Sequence, residues 1–214
     1  MRLELEALRT LCNMHFRWFG YQLKHVIIYL HGFLSSPQSV KAQQTRDFAQ
    51  LHYPELEFVV PQLPPYPLLT VQLLDELVAR YQGCSFGFIG SSLGGYLSTY
   101  LLEKHQGKAV LINPAVQPYK LLADYFGHHL NPYTHEEFTL EAIHTQQLAA
   151  IDTPVLEHPE NYWVLLQTGD ETLDYRLAEQ KYQGAKLTIE QGGDHSFQHY
   201  PRFLADIFRF LLQE

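Results

Sequence analysis

The sequence predicts an α/β fold: a doubly wound, mostly parallel sheet of six strands with helices on both faces. Short apolar runs alternate with stretches in which apolar residues recur every three or four positions, the pattern of strands alternating with helices. Most runs are apolar throughout rather than at every second position, as in strands that are covered on both faces. They span residues 25–30, 56–60, 85–89, 109–112, 162–167 and 186–190.

The stretches between these runs complete the fold prediction. Two have a continuous apolar face at helical spacing: Val71, Leu74, Leu77, Val78 and Tyr81 in one, and Phe203, Leu204, Ile207, Phe208 and Leu211 in the other. The run at 186–190 is the least apolar, so we expect it at an edge of the sheet. The interval 114–160 is too long for a simple crossover and is rich in proline and aromatics. It predicts a small cap insertion within a single domain over residues 25–214.

The composition excludes several classes of protein. The chain has 214 residues, of which 46% are hydrophobic and 18% charged, which fits one globular domain. Its formal net charge is −8 and it has no basic run, so we expect no nucleic-acid partner. The two cysteines, Cys12 and Cys84, form no CxxC pair, which argues against a disulfide scaffold or a metal site and predicts a cytoplasmic protein.

Residues 1–24 form an N-terminal extension before the first strand. Leu5, Leu8, Cys12, Phe16 and Phe19 follow helical spacing, which predicts a helix packed on the domain. A start codon assigned too early and a peripheral membrane helix are the alternatives. Charged residues interrupt every apolar run in this region, so we expect neither a signal peptide nor a membrane span.

A candidate nucleophile lies between the third strand and the next helix. Gly90-Ser91-Ser92-Leu93-Gly94 fits the G-x-S-x-G pattern, in which the serine occupies a sharp turn that lifts its hydroxyl above the sheet. Only Ser92 has glycine two residues before and two residues after it, because Ser91 would need glycine at positions 89 and 93. A plain tight turn is the alternative explanation.

A serine nucleophile needs a general base and an acid that orients the base. With the chain order serine, acid, histidine, only His195 and His199 of the twelve histidines follow the last strand. We choose His195, which follows two glycines in a loop. Asp170 comes at the carboxyl end of the fifth strand and is the chosen acid. The weaker candidates are Asp174, which suits a helix cap, Glu171, and Asp194, which belongs to the histidine loop.

Two main-chain N–H groups can stabilise the oxyanion. The loop His31-Gly32-Phe33 after the first strand would supply the N–H of Phe33, and Leu93, after the nucleophile, would supply the second. For Phe33 to meet Ser92, the first and third strands must be neighbours. The predicted strand order is therefore 2-1-3-4-5-6, with the site where the order reverses.

The sequence resembles the YqiA-type esterases, small bacterial α/β hydrolases. The resemblance rests on 30–39, 59–67, 87–96, 112–127, 131–134, 167–176 and 192–197. It extends from about residue 25 to the end, and leaves the extension outside. The resemblance places the triad at Ser92, Asp170 and His195 and the oxyanion donors at Phe33 and Leu93. It implies hydrolysis of carboxylic esters, with acyl thioesters such as acyl-CoA as an open alternative.

The expected activity is therefore that of a serine esterase acting on a small-molecule acyl ester through an acyl-enzyme, without a cofactor or metal. A lipase or peptidase with the same triad, and a non-catalytic binding protein with the same fold, are the alternatives. Aromatic side chains are candidates for the substrate pocket: Phe33, Tyr66, Tyr119, Phe126 and Tyr133. The oligomeric state is left open.

Overall fold

The computed structural model describes residues 24–213, so the predicted helix in the N-terminal extension lies outside the described residues. The first half of the domain contains four strands, β1 (His25–Leu30), β2 (Glu57–Val59), β3 (Ser85–Ser91) and β4 (Gly107–Ile112). Between them lie the helices α1 (Val40–His52), α2 (Pro67–Arg80) and α3 (Leu93–Lys104). The strands lie within a few residues of the predicted runs.

The segment between β4 and the next sheet strand contains small elements. In order these are α4 (Pro118–Leu121), a 3-10 turn (Leu122–Tyr125), β5 (Gly127–Leu130), β6 (Glu137–Leu140), α5 (Ala142–Ala149) and a second 3-10 turn (Pro159–Asn161). The strands β5 and β6 pair antiparallel as a separate two-stranded sheet. This hairpin was not predicted from the sequence.

The last part of the chain completes the main sheet. It comprises β7 (Tyr162–Gln167), α6 (Tyr175–Lys181), β8 (Lys186–Glu190), a 3-10 turn (Tyr200–Phe203) and α7 (Leu204–Leu212). The sheet has the order β2-β1-β3-β4-β7-β8, and every pair in it is parallel. The predicted fold and strand order are confirmed, with β8 at the expected edge.

The sheet is covered on both faces, as its apolar strands require. Along β1, Val26, Ile28 and Leu30 belong to one buried cluster, while Ile27 and Tyr29 belong to the cluster on the opposite face. This alternation follows from the two-residue period of a strand. Because the carboxyl ends of parallel strands lie on the same side of a sheet, the residues that follow β1, β3, β4 and β7 are brought together there.

Among residues 24–213, no helix combines the length and the apolar character that crossing a membrane would need.

Candidate active site

Ser92 lies at a strained turn between β3 and α3. Its φ of 55° and ψ of −119° place a non-glycine residue in a region that such residues rarely adopt. The flanking glycines are required by close approach: a Cβ at Gly94 would collide with the carbonyl oxygen of Leu30, and one at Gly90 would collide with that of Gly94. The main-chain N–H of Ser92 donates to Ile112 at 3.0 Å, which fixes the turn to the end of β4.

The structure brings Ser92, His195 and Asp170 into one hydrogen-bonded line. The His195 Nε2 atom lies 3.0 Å from Ser92 Oγ, and Nδ1 lies 2.8 Å from Asp170 Oδ2. A carboxylate can only accept, so Nδ1 carries the imidazole proton and donates it to Asp170. Nε2 is then free to accept the hydroxyl proton of Ser92. Chemically, the arrangement can activate an oxygen nucleophile.

Asp170 is held rigidly behind the imidazole. Only 2% of its side chain is exposed, and Oδ1 accepts the main-chain N–H groups of Thr172 at 2.9 Å and Leu173 at 2.8 Å. These bonds fix the carboxylate plane relative to His195. A buried anion with several donors suits the stabilisation of an imidazolium that forms during a reaction.

The other acidic candidates have different contacts. Asp174 caps α6 by accepting the main-chain N–H of Arg176 at 3.0 Å. Glu171 accepts the main-chain N–H of His195 at 3.0 Å, so it holds the backbone of the loop rather than the imidazole. Asp194 accepts hydrogen bonds from Ser196 and Gln198, and these bonds lower its pKa.

Two buried amides, not identified from the sequence, hold the His195 loop. Asn113 follows β4 and is 2% exposed; its Nδ2 donates to the carbonyl oxygens of Asp194 at 3.0 Å and His195 at 3.3 Å. Its Oδ1 accepts the main-chain N–H of Gln167 at 3.0 Å. Gln167 is 3% exposed, and its Oε1 accepts the N–H groups of Asp194 and Gln198 at 3.2 and 2.8 Å.

The loop after β1 runs directly beside the serine. A Cβ added to Gly32 would lie 3.4 Å from Ser92 Cβ. His31 fixes this loop: Nδ1 donates to the carbonyl of Gly32 at 2.9 Å, and Nε2 accepts the N–H of Leu63 at 3.1 Å. Burial lowers the pKa of His31 and so favours the neutral imidazole that this bonding requires. Phe33 is therefore next to the turn at Ser92, as the strand order predicts.

Leu93 is the first residue of α3, so its N–H precedes the hydrogen-bonded turns of the helix. Both of the residues expected to donate to an oxyanion thus lie at the Ser92 turn.

A crevice of about 840 Å³ opens above Ser92 and His195. Residues of the segment between β4 and β7 supply an apolar wall, comprising Ala115, Pro118, Leu121, Leu122, Tyr125, Tyr133 and Leu148. Residues outside this segment also line the crevice, and the polar ones among them include Ser39, Lys41, Gln44, Glu171, Gln198 and His199.

Only part of the predicted aromatic set lines this crevice. Phe33 and Tyr133 do, whereas Tyr66, Tyr119 and Phe126 do not. The Tyr66 ring stacks on His144 with centroids 4.9 Å apart, and the Tyr119 hydroxyl donates to Asp152 at 2.8 Å. Phe126 is 44% exposed. Their aromatic character could not distinguish packing within the inserted segment from contact with the crevice.

A model of the family described as "Uncharacterised protein family (UPF0227)" matches residues 26–212. The chain belongs to this family. The family is the YqiA-type family that the sequence resembles, and the match covers the sheet, the inserted segment and the turn at Ser92.

Solved structures share the fold at low sequence identity. A protein from Agrobacterium vitis S4 superimposes with a TM-score of 0.69 at 15% identity, covering 88% of both chains. Est1E from Butyrivibrio proteoclasticus gives 0.65 at 11%, covering 90% of this chain and 89% of its own. The mouse alpha/beta hydrolase domain-containing protein 10 gives 0.62 at 14%, covering 86% and 88%. The UPF0227 chain described here therefore has the α/β-hydrolase fold.

Proposed function

We propose that this protein hydrolyses carboxylic esters, with Ser92 as nucleophile, His195 as general base and acid, and Asp170 as the orienting acid. The observation that supports this proposal most strongly is the continuous hydrogen-bonded line from Ser92 Oγ through the imidazole to a buried carboxylate. It begins at a strained turn and opens into a crevice large enough for a small ester.

The first half of the reaction acylates the serine. As Ser92 Oγ bonds to the acyl carbon, His195 Nε2 takes the hydroxyl proton and the carbonyl oxygen becomes an oxyanion. The N–H groups of Phe33 and Leu93 stabilise that oxyanion, each by about 3 kcal/mol in the transition state. The bond to the leaving oxygen or sulfur then breaks, and the leaving group takes the proton from Nε2.

The second half releases the acid. Water attacks the acyl carbon while His195 Nε2 takes one of its protons, and the acyl–serine bond breaks as that proton returns to Ser92 Oγ. The apolar wall of the crevice, supplied by the proposed cap at 114–160, accommodates an acyl chain. Thioesters fit the same steps because only the leaving atom changes.

We place the reaction in the cytoplasm, where the free thiol of Cys84 would stay reduced.

The proposal is tested with a fluorophosphonate probe and p-nitrophenyl esters of several chain lengths. The wild-type protein should gain one probe adduct and release p-nitrophenol, and Ser92→Ala should do neither. Ser91→Ala is the matched control, since this adjacent serine lacks the flanking glycines and should leave labelling unchanged. Equal labelling of wild type and Ser92→Ala would disprove the assignment of the nucleophile. A folded wild type without adduct or turnover would indicate a binding protein.

A further inference from the structure

A half-buried cation at the proposed site, Lys41, has no part in the proposed chemistry. Lys41 is the second residue of α1, and it lines the same crevice as Ser92 and His195. The ammonium group of Lys41 donates a hydrogen bond, 2.6 Å long, to the main-chain carbonyl of Ser196, the residue directly after His195. This one contact leaves two of the three ammonium protons for other acceptors.

The charge of Lys41 is poorly compensated within the described part of the chain. No carboxylate oxygen of residues 24–213 lies within 4.0 Å of its Nζ. Lys181, whose side chain is 6% exposed, has Asp152 at 3.6 Å. Partial removal of a cation from water without a close counter-charge is unfavourable, and a bound anion would relieve that cost.

Two acidic groups, Asp194 and Asp170, act on Lys41 at longer range. Asp194 and Asp170 raise its pKa, but desolvation outweighs them and lowers the pKa to about 8. Glu171 also lines the crevice, where its carboxylate accepts the N–H of His195. Lys41 is therefore still cationic at neutral pH.

The position of Lys41 assigns it to one half of the substrate. His195 returns a proton to the leaving atom, so the leaving group departs on the side of the imidazole. Lys41 is hydrogen-bonded to Ser196, the residue after His195, and therefore lies on the imidazole side of the crevice, whereas the inserted segment supplies apolar lining residues. We infer that Lys41 binds an anionic group, a carboxylate or a phosphate, on the alcohol or thiol half of the substrate. The inference rests on the proposed ester hydrolysis.

Two matched esters test the inference by turnover. The anionic substrate is 4-(butyryloxy)benzoate and the neutral one is its methyl ester, and the measured quantity is the ratio of their kcat/KM values. Lys41→Met should lower the ratio about tenfold, the effect of one charge-assisted hydrogen bond, whereas Lys41→Arg should retain most of it. The comparison between variants cancels the intrinsic difference in reactivity between the two esters.

Lys108→Met is the matched control. Lys108 also donates to a main-chain carbonyl, that of Gln213, but it does not line the crevice, so its loss should leave the ratio unchanged. An unchanged ratio in Lys41→Met overturns the inference. Equal losses for both esters also overturn it, because Lys41 would then only position the His195 loop.

A binding measurement separates this inference from the proposed function. Calorimetry on the Ser92→Ala protein, with and without Lys41→Met, compares 4-hydroxybenzoate, phenyl phosphate and methyl 4-hydroxybenzoate. Tighter binding of either anion that disappears with Lys41→Met supports the site even if no ester is hydrolysed, and the stronger anion identifies the group. Equal affinity for all three ligands overturns the inference, whatever the turnover result.

Discussion

Replacing Asn113 should show that the two buried amides, Asn113 and Gln167, position His195, the proposed general base. Asn113→Ala removes the donor to the Asp194 and His195 carbonyls and the acceptor of the Gln167 N–H. It also places alanine at a φ of 41°, a left-handed conformation that asparagine tolerates better. The substitution should therefore weaken both the fold and the placement of His195.

The structure allows the loss of stability to be estimated. A buried N–H left unpaired costs about 1–3 kcal/mol, each hydrogen bond to the loop contributes about 0.5–1.5 kcal/mol, and left-handed alanine costs about 1 kcal/mol. We expect the free energy of unfolding to fall by about 3–7 kcal/mol. Asn113→Asp keeps the acceptor and tolerates the backbone conformation, but it places an unpaired carboxylate at a buried position, so it should also lose about 3 kcal/mol or more of stability. It should still lower kcat/KM about a hundredfold, because its carboxylate repels the two loop carbonyls.

Urea unfolding gives the stability, and hydrolysis of p-nitrophenyl butyrate gives kcat/KM. Asn161→Ala is the control, because Asn161 directly precedes the amino end of β7, at the opposite edge of the sheet from the site. The reasoning is refuted if Asn113→Asp retains wild-type kcat/KM, or if Asn113→Ala unfolds at the same urea concentration as the wild type.

Three further predictions follow from the geometry. Asp170→Asn should lower kcat by a factor on the order of 10³–10⁴, because an amide no longer stabilises the imidazolium, while Asp174→Asn should retain activity since that side chain caps α6. His31→Leu should cost about 1–3 kcal/mol in urea unfolding and also lower kcat/KM, because the buried N–H of Leu63 loses its acceptor and the loop beside Ser92 is freed. The preference for the anionic ester should be present at pH 7, decline through about pH 8 as Lys41 loses its proton, and be absent from Lys41→Met throughout a pH profile of the two kcat/KM values.

The sheet was predictable from the sequence because its signal is local. The runs at 25–30 and 162–167 coincide with β1 and β7, since continuous apolar runs leave few alternatives to buried strands, and the less apolar run at 186–190 coincides with the edge strand β8. The strand order followed from one chemical requirement, that Phe33 meet Ser92. Such a requirement acts between residues far apart in the chain, which apolar periodicity alone does not address.

The inserted segment was less predictable. Its hairpin, β5 with β6, includes exposed positions such as Leu130, so the apolar pattern that identifies buried strands is weak there. From the sequence, Tyr66 and Tyr119 could either line the crevice or pack against other side chains of the domain, and only their tertiary contacts distinguish the two. The sequence did not indicate that Lys41 lies at the site, because a single lysine in a helix is ordinarily a surface residue.

The site is built from the polar residues that end buried strands. His31, Asn113 and Gln167 follow or end β1, β4 and β7 and are at most 3% exposed. Buried polar groups need partners: His31 bonds to Gly32, which precedes Phe33, and to Leu63 after β2, while Asn113 and Gln167 bond to the loop that holds His195. The hydrogen bonds of these buried side chains at the strand ends therefore also hold the proposed reacting groups in position. Substitutions at these positions should change stability and activity together, whereas substitution of Ser92, whose hydroxyl sits in the crevice, should change activity alone.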